Sequence, residues 1–192
     1  MGREFELKFA ATADVQTAIG QVFDGFRKIS METTYYDTAD GALSAQKVTL
    51  RLRKENDLCI CTLKTPLTDG SRGEWECHAT DIIEGLAALV AQGAPMQVMR
   101  LAQTGLHPVC GAKFTRLAAE VATADGTAEL ALDSGILLGG GKEMALCEVE
   151  VELKTGSDHA ALAFASDLAA KYGLQIENRS KFRRALALAK GE

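Results

Sequence analysis

Two segments of the chain alternate strictly between charged and apolar residues, and this pattern constrains the fold more than any other feature. Residues 4–9 set Glu4, Glu6 and Lys8 against Phe5, Leu7 and Phe9. Residues 144–154 repeat the pattern, with Glu148, Glu150, Glu152 and Lys154 on one side and Cys147, Val149, Val151 and Leu153 on the other. A period of two places successive side chains on opposite faces of a β-strand. Each segment is therefore predicted to be a strand with one charged and one apolar face.

The remaining sequence predicts further strands and three amphipathic helices. Strand patterns occupy residues 30–38, 48–54, 58–65, 72–78, 114–122 and 127–132, which brings the total to about eight. Apolar residues at helical spacing predict helices over residues 13–26, 82–93 and 158–172, with Thr12 as the first N-cap and Gly173 as the last stop. The order of elements indicates an α+β fold dominated by antiparallel sheet. We found no linker or repeat, so residues 1–192 are expected to form a single domain.

The charged strand faces have two explanations. Charges on one face of an antiparallel sheet often simply face water. However, the signs are sorted by strand, with glutamates in the first and last strands and Arg51, Arg53 and Lys64 between them. The helices also need apolar partners, which the apolar strand faces provide. We therefore expect a closed antiparallel β-barrel with flanking helices and a charged interior.

Composition excludes several classes of protein. The net charge of −5 is opposite to that of a non-specific nucleic-acid binder. No apolar run approaches the roughly 20 residues that cross a membrane, and the N-terminus lacks an apolar signal core. The five cysteines form no CxxC pair, which favours reduced thiols in a cytoplasmic protein.

The mixture of charges indicates the chemistry of a ligand. Buried unpaired charges cost several kcal/mol each by order of magnitude, so a charged interior needs water or a complementary ligand. Clustered carboxylates suit a hard divalent cation, Mg²⁺ or Mn²⁺. Arginine and lysine suit phosphate oxygens. Together they predict a site for a metal and a polyphosphate.

A series of short motifs runs along nearly the whole chain in a fixed order. They are Glu4-Phe5-Glu6-Leu7-Lys8, Tyr35-Tyr36-Asp37-Thr38, Leu50-Arg51-Leu52-Arg53, Thr62-Leu63-Lys64, Arg72-x-Glu74-x-Glu76, Phe114-x-Arg116, Leu132-Asp133-x-Gly135, Glu148-x-Glu150-x-Glu152 and Ser180-Lys181. The first is the ExExK signature, and the set resembles the CYTH domain, or triphosphate tunnel metalloenzyme, superfamily. The ending at residues 180–184 resembles its bacterial inorganic triphosphatase branch, whose members often carry a second, helical domain after this one.

The resemblance implies an eight-stranded closed antiparallel tunnel and assigns roles by position. The implied metal ligands are Glu4, Glu6, Glu148 and Glu150, with Glu152 further along the same face. The implied phosphate-binding residues are Lys8, Arg51, Arg53, Lys64, Arg116 and Lys181. Asp133 resembles a tunnel acid of the family. We expect Lys8, Lys113 or Tyr35 to assist proton transfer, and leave Arg183 and Arg184 open between phosphate contact and ordinary solvated charge.

The implied reaction is hydrolysis of inorganic triphosphate with Mg²⁺ or Mn²⁺. Alternatives are hydrolysis of thiamine or nucleoside triphosphates, ATP cyclisation as in class IV adenylate cyclases, and non-catalytic polyphosphate binding. No nucleic-acid or membrane partner is expected, and a homodimer is left open. The isolated histidines, the cysteines and the triple glycine at residues 139–141 are expected to be structural.

Overall fold

The computed structural model describes residues 2–3, 5–67 and 72–192, and only the backbone of Gly2 and Arg3. It contains ten strands, six α-helices and a 3₁₀ turn at Ala102–Thr104. The strands are β1 Gly2–Arg3, β2 Glu6–Ala10, β3 Arg27–Asp37, β4 Thr49–Glu55, β5 Leu58–Pro66, β6 Arg72–His78, β7 His107–Ala122, β8 Thr127–Gly139, β9 Lys142–Thr155 and β10 Gln175–Ile176. The helices are α1 Ala13–Gly20, α2 Ala42–Ala45, α3 Ile82–Ala91, α4 Met96–Leu101, α5 Asp158–Tyr172 and α6 Lys181–Lys190.

All strands pair antiparallel in one sheet, which confirms the α+β class. The order is β1-β6-β5-β4-β3-β7-β8-β9-β2-β10. The predicted count of eight was wrong, because the described residues form ten strands, or nine if the consecutive β1 and β2 are taken as one. Residues 2–3 pair with β6 and residues 6–10 with β9, so the N-terminal segment connects distant parts of the sheet. Among the described strands, no hydrogen-bonded pairing joins the ends β1 and β10, and hydrogen bonds therefore do not close the sheet.

The apolar strand faces are covered by helices, as the alternation predicts. On one side, Leu50, Leu63 and Trp75 from β4–β6 pack with Leu86 and Leu89 of α3. These five residues are at most 5% exposed, so this is a core of the protein. Burying such side chains contributes about 1.5–3 kcal/mol each. The charged faces of the same strands must therefore point to the opposite side of the sheet.

A second apolar cluster lies between strands β2 and β9 and helices α1 and α5. Phe9 of β2 and the adjacent β9 residues Val149 and Val151 pack with Ile19 of α1 and Leu168 of α5. Because these residues alternate with Lys8, Glu148 and Glu150, the charged side chains of β2 and β9 also face away from the helices.

Helix boundaries follow local capping signals. The Thr12 side chain accepts a hydrogen bond from Val15 N at 3.3 Å, which confirms the predicted N-cap of α1. Gly173 ends α5 with φ 65°, a left-handed conformation that glycine adopts without strain. Even the 15 residues of α5, the longest of the described helices, are too few and too polar to span a membrane.

Candidate functional site

The inner faces of the strands surround a cavity of about 750 Å³. Its lining side chains are predominantly charged, and both signs are present. The basic ones are Lys8, Arg27, Arg51, Arg53, Lys64, Arg72, Arg116, Lys154 and Lys181. The acidic ones are Glu6, Glu55, Glu74, Glu76, Glu129, Glu150 and Glu152. The expected charged interior is therefore present, whereas the strands that the structure describes are not fully closed by backbone hydrogen bonds.

Strand β4 presents two arginines to this cavity. Arg51 is paired in register with Tyr35 of β3, and its guanidinium lies 3.6 Å from Glu76 and 4.0 Å from Glu74. The Arg51 Nε atom is buried and has no hydrogen-bond partner. A buried donor without an acceptor is costly, so this atom is ready to bind an anionic ligand.

Arg53 is more firmly held within the protein. Its Nε donates to Thr33 Oγ1 and its Nη1 to Glu55, both at 3.2 Å. Burial, together with the charge of the neighbouring Arg51, lowers the pKa of the Arg53 guanidinium. A bound anion would relieve the repulsion between these two arginines.

Three carboxylates form a row across neighbouring strands at another part of the lining. Glu6 of β2 lies directly opposite Glu152 of β9, which lies opposite Glu129 of β8. Residues in register on one face have their side chains close together. Lys8 is correspondingly opposite Glu150. The cavity therefore combines oxygen donors and cationic groups on adjacent rungs of the sheet.

A buried acidic cluster lies beside the cavity, with Asp133, Glu148 and Glu150 offering oxygens within 4.8 Å of one another. The Lys181 ammonium lies 2.8 Å from Asp133, 2.6 Å from Glu148 and 2.6 Å from Glu150. Arg116 donates two 2.8 Å hydrogen bonds to Asp133 and also contacts Glu150. Lys181 therefore fills the position that a cation would take between these three carboxylates.

Charge pairing dominates the protonation of this cluster. Burial opposes ionisation of Glu150, but Lys181 and Arg116 outweigh it and hold the pKa of Glu150 well below its usual range. Burial likewise opposes the charged form of Lys181, and the carboxylates of Glu150 and Asp133 raise the pKa of Lys181 well above its usual value. Glu150 and Lys181 are therefore both ionised at neutral pH.

Helix α6 brings Lys181 into the cavity. Ser180 is its N-cap and accepts from Arg183 N at 3.2 Å, so Lys181 is the first helical residue. Phe182 packs against Tyr35 with ring centroids 5.1 Å apart, which anchors this end of the helix. The sequence patterns did not predict a helix after residue 180, although Ser180 before apolar residues at helical spacing was a signal for one.

The structure brings most of the predicted site residues together. Those lining the cavity are Glu6, Lys8, Tyr35, Arg51, Arg53, Lys64, Arg116, Glu150 and Lys181. Glu148 is fully buried and is not part of the lining. Glu4 lies outside the described residues.

Lys113 does not join the others. It is 56% exposed and pairs with Glu32 at 2.8 Å, outside the cavity. Lys113 and Arg116 are three residues apart on β7, which puts them on opposite faces. The structure therefore offers no route by which Lys113 could assist proton transfer in this cavity.

Glu74, Glu76 and Glu129 line the cavity, although the sequence did not assign them a role. Lys64 contacts Glu74 at 3.1 Å, and Thr62 donates to Glu76 at 2.8 Å. The alternation in residues 72–78 had placed both glutamates on one face. Glu129 carried no comparable signal, because its role depends on pairing with β9.

Two groups of carboxylates differ in how well they fit a divalent metal. The buried cluster fits poorly, because Lys181 contacts all three of its carboxylates. The cavity-lining carboxylates Glu6 and Glu152 lie directly opposite each other and provide oxygen donors, which Mg²⁺ and Mn²⁺ prefer, whereas both oxygens of Glu150 are already ion-paired with Lys181 and Arg116. The residues present therefore fit a hard divalent cation on the β2–β9 wall.

The chain is similar in sequence to a known enzyme. An inorganic triphosphatase of Haemophilus influenzae is 27% identical over 197 residues, covering 98% of this chain but 55% of the relative. The chain thus spans about half the length of the curated relative it matches.

Solved structures share the fold over almost the whole chain. A candidate adenylate cyclase from Bacillus halodurans has a TM-score of 0.66 at 21% identity, covering 96% of this chain and 98% of its own. A candidate adenylyl cyclase from Hippeastrum with a dominant triphosphatase activity has a TM-score of 0.66 at 18% identity, covering 98% and 96%. A family model described as the CYTH domain matches residues 2–186. The chain therefore belongs to the CYTH domain family.

Proposed function

We propose that this protein hydrolyses inorganic triphosphate in its charged cavity with the help of a divalent metal. The observation that carries the proposal is the convergence of basic side chains from four strands and α6 on one cavity that also contains carboxylates. The similarity to the Haemophilus inorganic triphosphatase supports this substrate class. The basic lining residues that we propose to bind phosphate are Lys8, Arg51, Arg53, Lys64, Arg116 and Lys181.

The arginines of β4 are suited to hold the phosphate chain. Arg51 has a buried, unpartnered Nε, and its guanidinium comes no closer than 3.6 Å to Glu76 and 4.0 Å to Glu74. A phosphate oxygen would supply the missing acceptor and form a stronger, charge-assisted hydrogen bond. Arg51 and Arg53 would together fix the chain and offset the charge that develops on the transferred phosphoryl group.

Glu6 and Glu152 would hold the metal, and Glu4 remains a predicted ligand, whereas Glu150 could join them only by giving up an ion pair with Lys181 or Arg116. A bound Mg²⁺ or Mn²⁺ would supply charge neutralisation and a lowered pKa for attacking water. Lys8 lies directly opposite Glu150, so it would bind a phosphate oxygen close to these carboxylates. Tyr35 is buried in the cavity wall, where it would position Phe182 and the start of α6.

A phosphate-release screen tests the function. Tripolyphosphate, ATP and thiamine triphosphate would each be assayed with Mg²⁺, Mn²⁺ and excess chelator. We expect metal-dependent release, fastest from tripolyphosphate. Cyclic AMP without phosphate release in the ATP sample would instead indicate a cyclase. Metal-free binding without turnover of any substrate would indicate a polyphosphate-binding module.

A further inference from the structure

We propose that Glu148 and Arg184 are positioning residues, which fix α6 so that the ammonium of Lys181 is held at the cavity. The inference rests on the proposed function for the role of Lys181 as a phosphate-binding group. It differs from the family resemblance, which implies that Glu148 is a metal ligand. It also decides between the two roles that the sequence left open for Arg184.

The burial of Glu148 argues against contact with a ligand. Glu148 is 0% exposed, and it is absent from the cavity lining, unlike Glu150 and Glu152 on the same strand face. One carboxylate oxygen binds the Arg184 guanidinium, and the other lies 2.6 Å from the Lys181 ammonium. Both oxygens are therefore ion-paired with cationic side chains of α6.

The backbone of Glu148 is fixed from the other side of the sheet. The Gln16 amide of α1 donates to the carbonyl oxygens of Glu148 at 2.8 Å and Asp133 at 2.9 Å. The Ser134 hydroxyl in turn donates to the side-chain amide oxygen of Gln16. Because Gln16 is buried and its side-chain amide is hydrogen-bonded at both ends, it fixes the backbone of Glu148 in place. The Glu148 carboxylate is a fixed point to which α6 can be attached.

Arg184 connects the fixed carboxylate of Glu148 to the helix that carries Lys181. The two residues are three positions apart on α6, which places them on the same side of the helix. Arg184 is 9% exposed and does not line the cavity, so it is unavailable to a phosphate there. Its other contact is Glu177, 4.0 Å away, in the segment before α6.

Glu177 connects this arrangement to the N-terminal strand. Its backbone N–H donates to the Lys8 carbonyl oxygen at 2.9 Å. The segment before α6 is therefore attached to β2, and Arg184 joins that segment to β9 through Glu148. Lys181 lies between these two attachments in the sequence, and its ammonium contacts Glu150, which is opposite the proposed phosphate-binding residue Lys8.

The experiment compares Glu148→Gln, Arg184→Gln, Arg184→Lys and the double variant Glu148→Gln/Arg184→Gln with the wild type. Arg183→Gln is the matched control, because Arg183 is exposed on the same turn of α6. The first measurement is amide hydrogen exchange of residues 181–190 without ligand. The second is calorimetric binding of tripolyphosphate in excess chelator, which excludes any effect of a metal.

We expect Glu148→Gln and Arg184→Gln each to speed exchange in α6 and to weaken metal-free tripolyphosphate binding by about tenfold or more. Because the two residues act as one unit, the double variant should bind no more weakly than either single variant. Arg184→Lys should recover part of both losses, and Arg183→Gln should change neither. Arg184→Lys also guards against misfolding of the glutamine variants.

Different results would overturn the inference. If Glu148→Gln leaves exchange and metal-free binding unchanged and only raises the metal concentration needed for turnover, Glu148 is a metal ligand. If the losses in binding add fully in the double variant while α6 exchange stays constant, Arg184 contacts phosphate directly. A wild type that neither binds nor hydrolyses tripolyphosphate would refute the proposed function, whereas α6 exchange would still decide the positioning role.

Discussion

The ammonium of Lys181 lies 2.6 Å from Glu150 Oε1, so the first residue of α6 is ion-paired with the charged face of β9. This pair belongs to a cluster in which the carboxylates of Asp133, Glu148 and Glu150 face Lys181 and two arginines. Three negative groups thus meet three positive ones. The buried part of the site is balanced in charge without a ligand, and the accessible part of the cavity is left for the proposed metal and phosphate.

The buried position of Lys181 predicts a large effect on stability. Lys181→Met would leave Glu148 and Glu150 short of a counter-charge in a buried site, which costs about 3–5 kcal/mol of unfolding free energy. Lys113→Met removes only an exposed pair with Glu32 and should change stability little. Urea denaturation of both variants measures the difference. Equal losses would contradict the burial of the Lys181 pair.

Arg51 is predicted to contribute to substrate binding and not to folding. Arg51→Ala removes a cation whose Nε has no partner in the protein, so the fold should persist. Loss of a charge-assisted phosphate contact should lower kcat/KM for tripolyphosphate by about 10- to 100-fold. Arg100→Ala on the outer helix α4 is the control. An Arg51→Ala variant that unfolds would show that Arg51 is structural.

The low pKa of Glu150 predicts a specific acid sensitivity. Because its pKa is lower in the folded state, the unfolded state binds the proton more readily, so Glu150 stabilises the fold above pH 4.5 and progressively less below it. The difference in unfolding free energy between wild type and Glu150→Gln should therefore shrink as the pH falls below 4.5. Denaturation at several pH values tests this. A pH-independent difference would contradict it.

Two cysteines are predicted to be unreactive in the folded protein. Burial raises the pKa of the Cys61 and Cys110 thiols to about 12, so almost none of the reactive thiolate forms near neutral pH. Alkylation followed by peptide mapping should label them slowly in the native protein and rapidly after unfolding. Rapid native labelling would show that these parts of the core open readily.

The direction in which each strand face points could be predicted from the sequence. Alternation in residues 4–9 and 144–154 separated Glu6 and Glu150 from Leu7 and Val151, and the structure confirms that separation. Period two is a local property, so it survives folding unchanged. The same rule would have separated Lys113 from Arg116 if the strand had been predicted to begin at His107 rather than at Phe114.

The partners of each charge could not be predicted in the same way. Lys181 and Glu148 are 33 positions apart in sequence, and their contact depends on α6 folding back against β7–β9. The role of Gln16, which fixes the backbone of Glu148 from the outer side, also depends on tertiary packing. Strand count failed for a related reason, because β1 and β2 pair with different neighbours although they are consecutive in the chain, and the two-residue β10 is defined by its pairing with β2.

The most direct test is a crystal structure with Mn²⁺ and an imido-bridged triphosphate, which resists hydrolysis. Anomalous scattering would locate the metal, and the difference density would locate the phosphates. We predict Mn²⁺ beside Glu6 and Glu152, with phosphate oxygens on Arg51 and Lys181. Metal or triphosphate bound on the outer, helix-covered surface, with the cavity empty, would contradict the account.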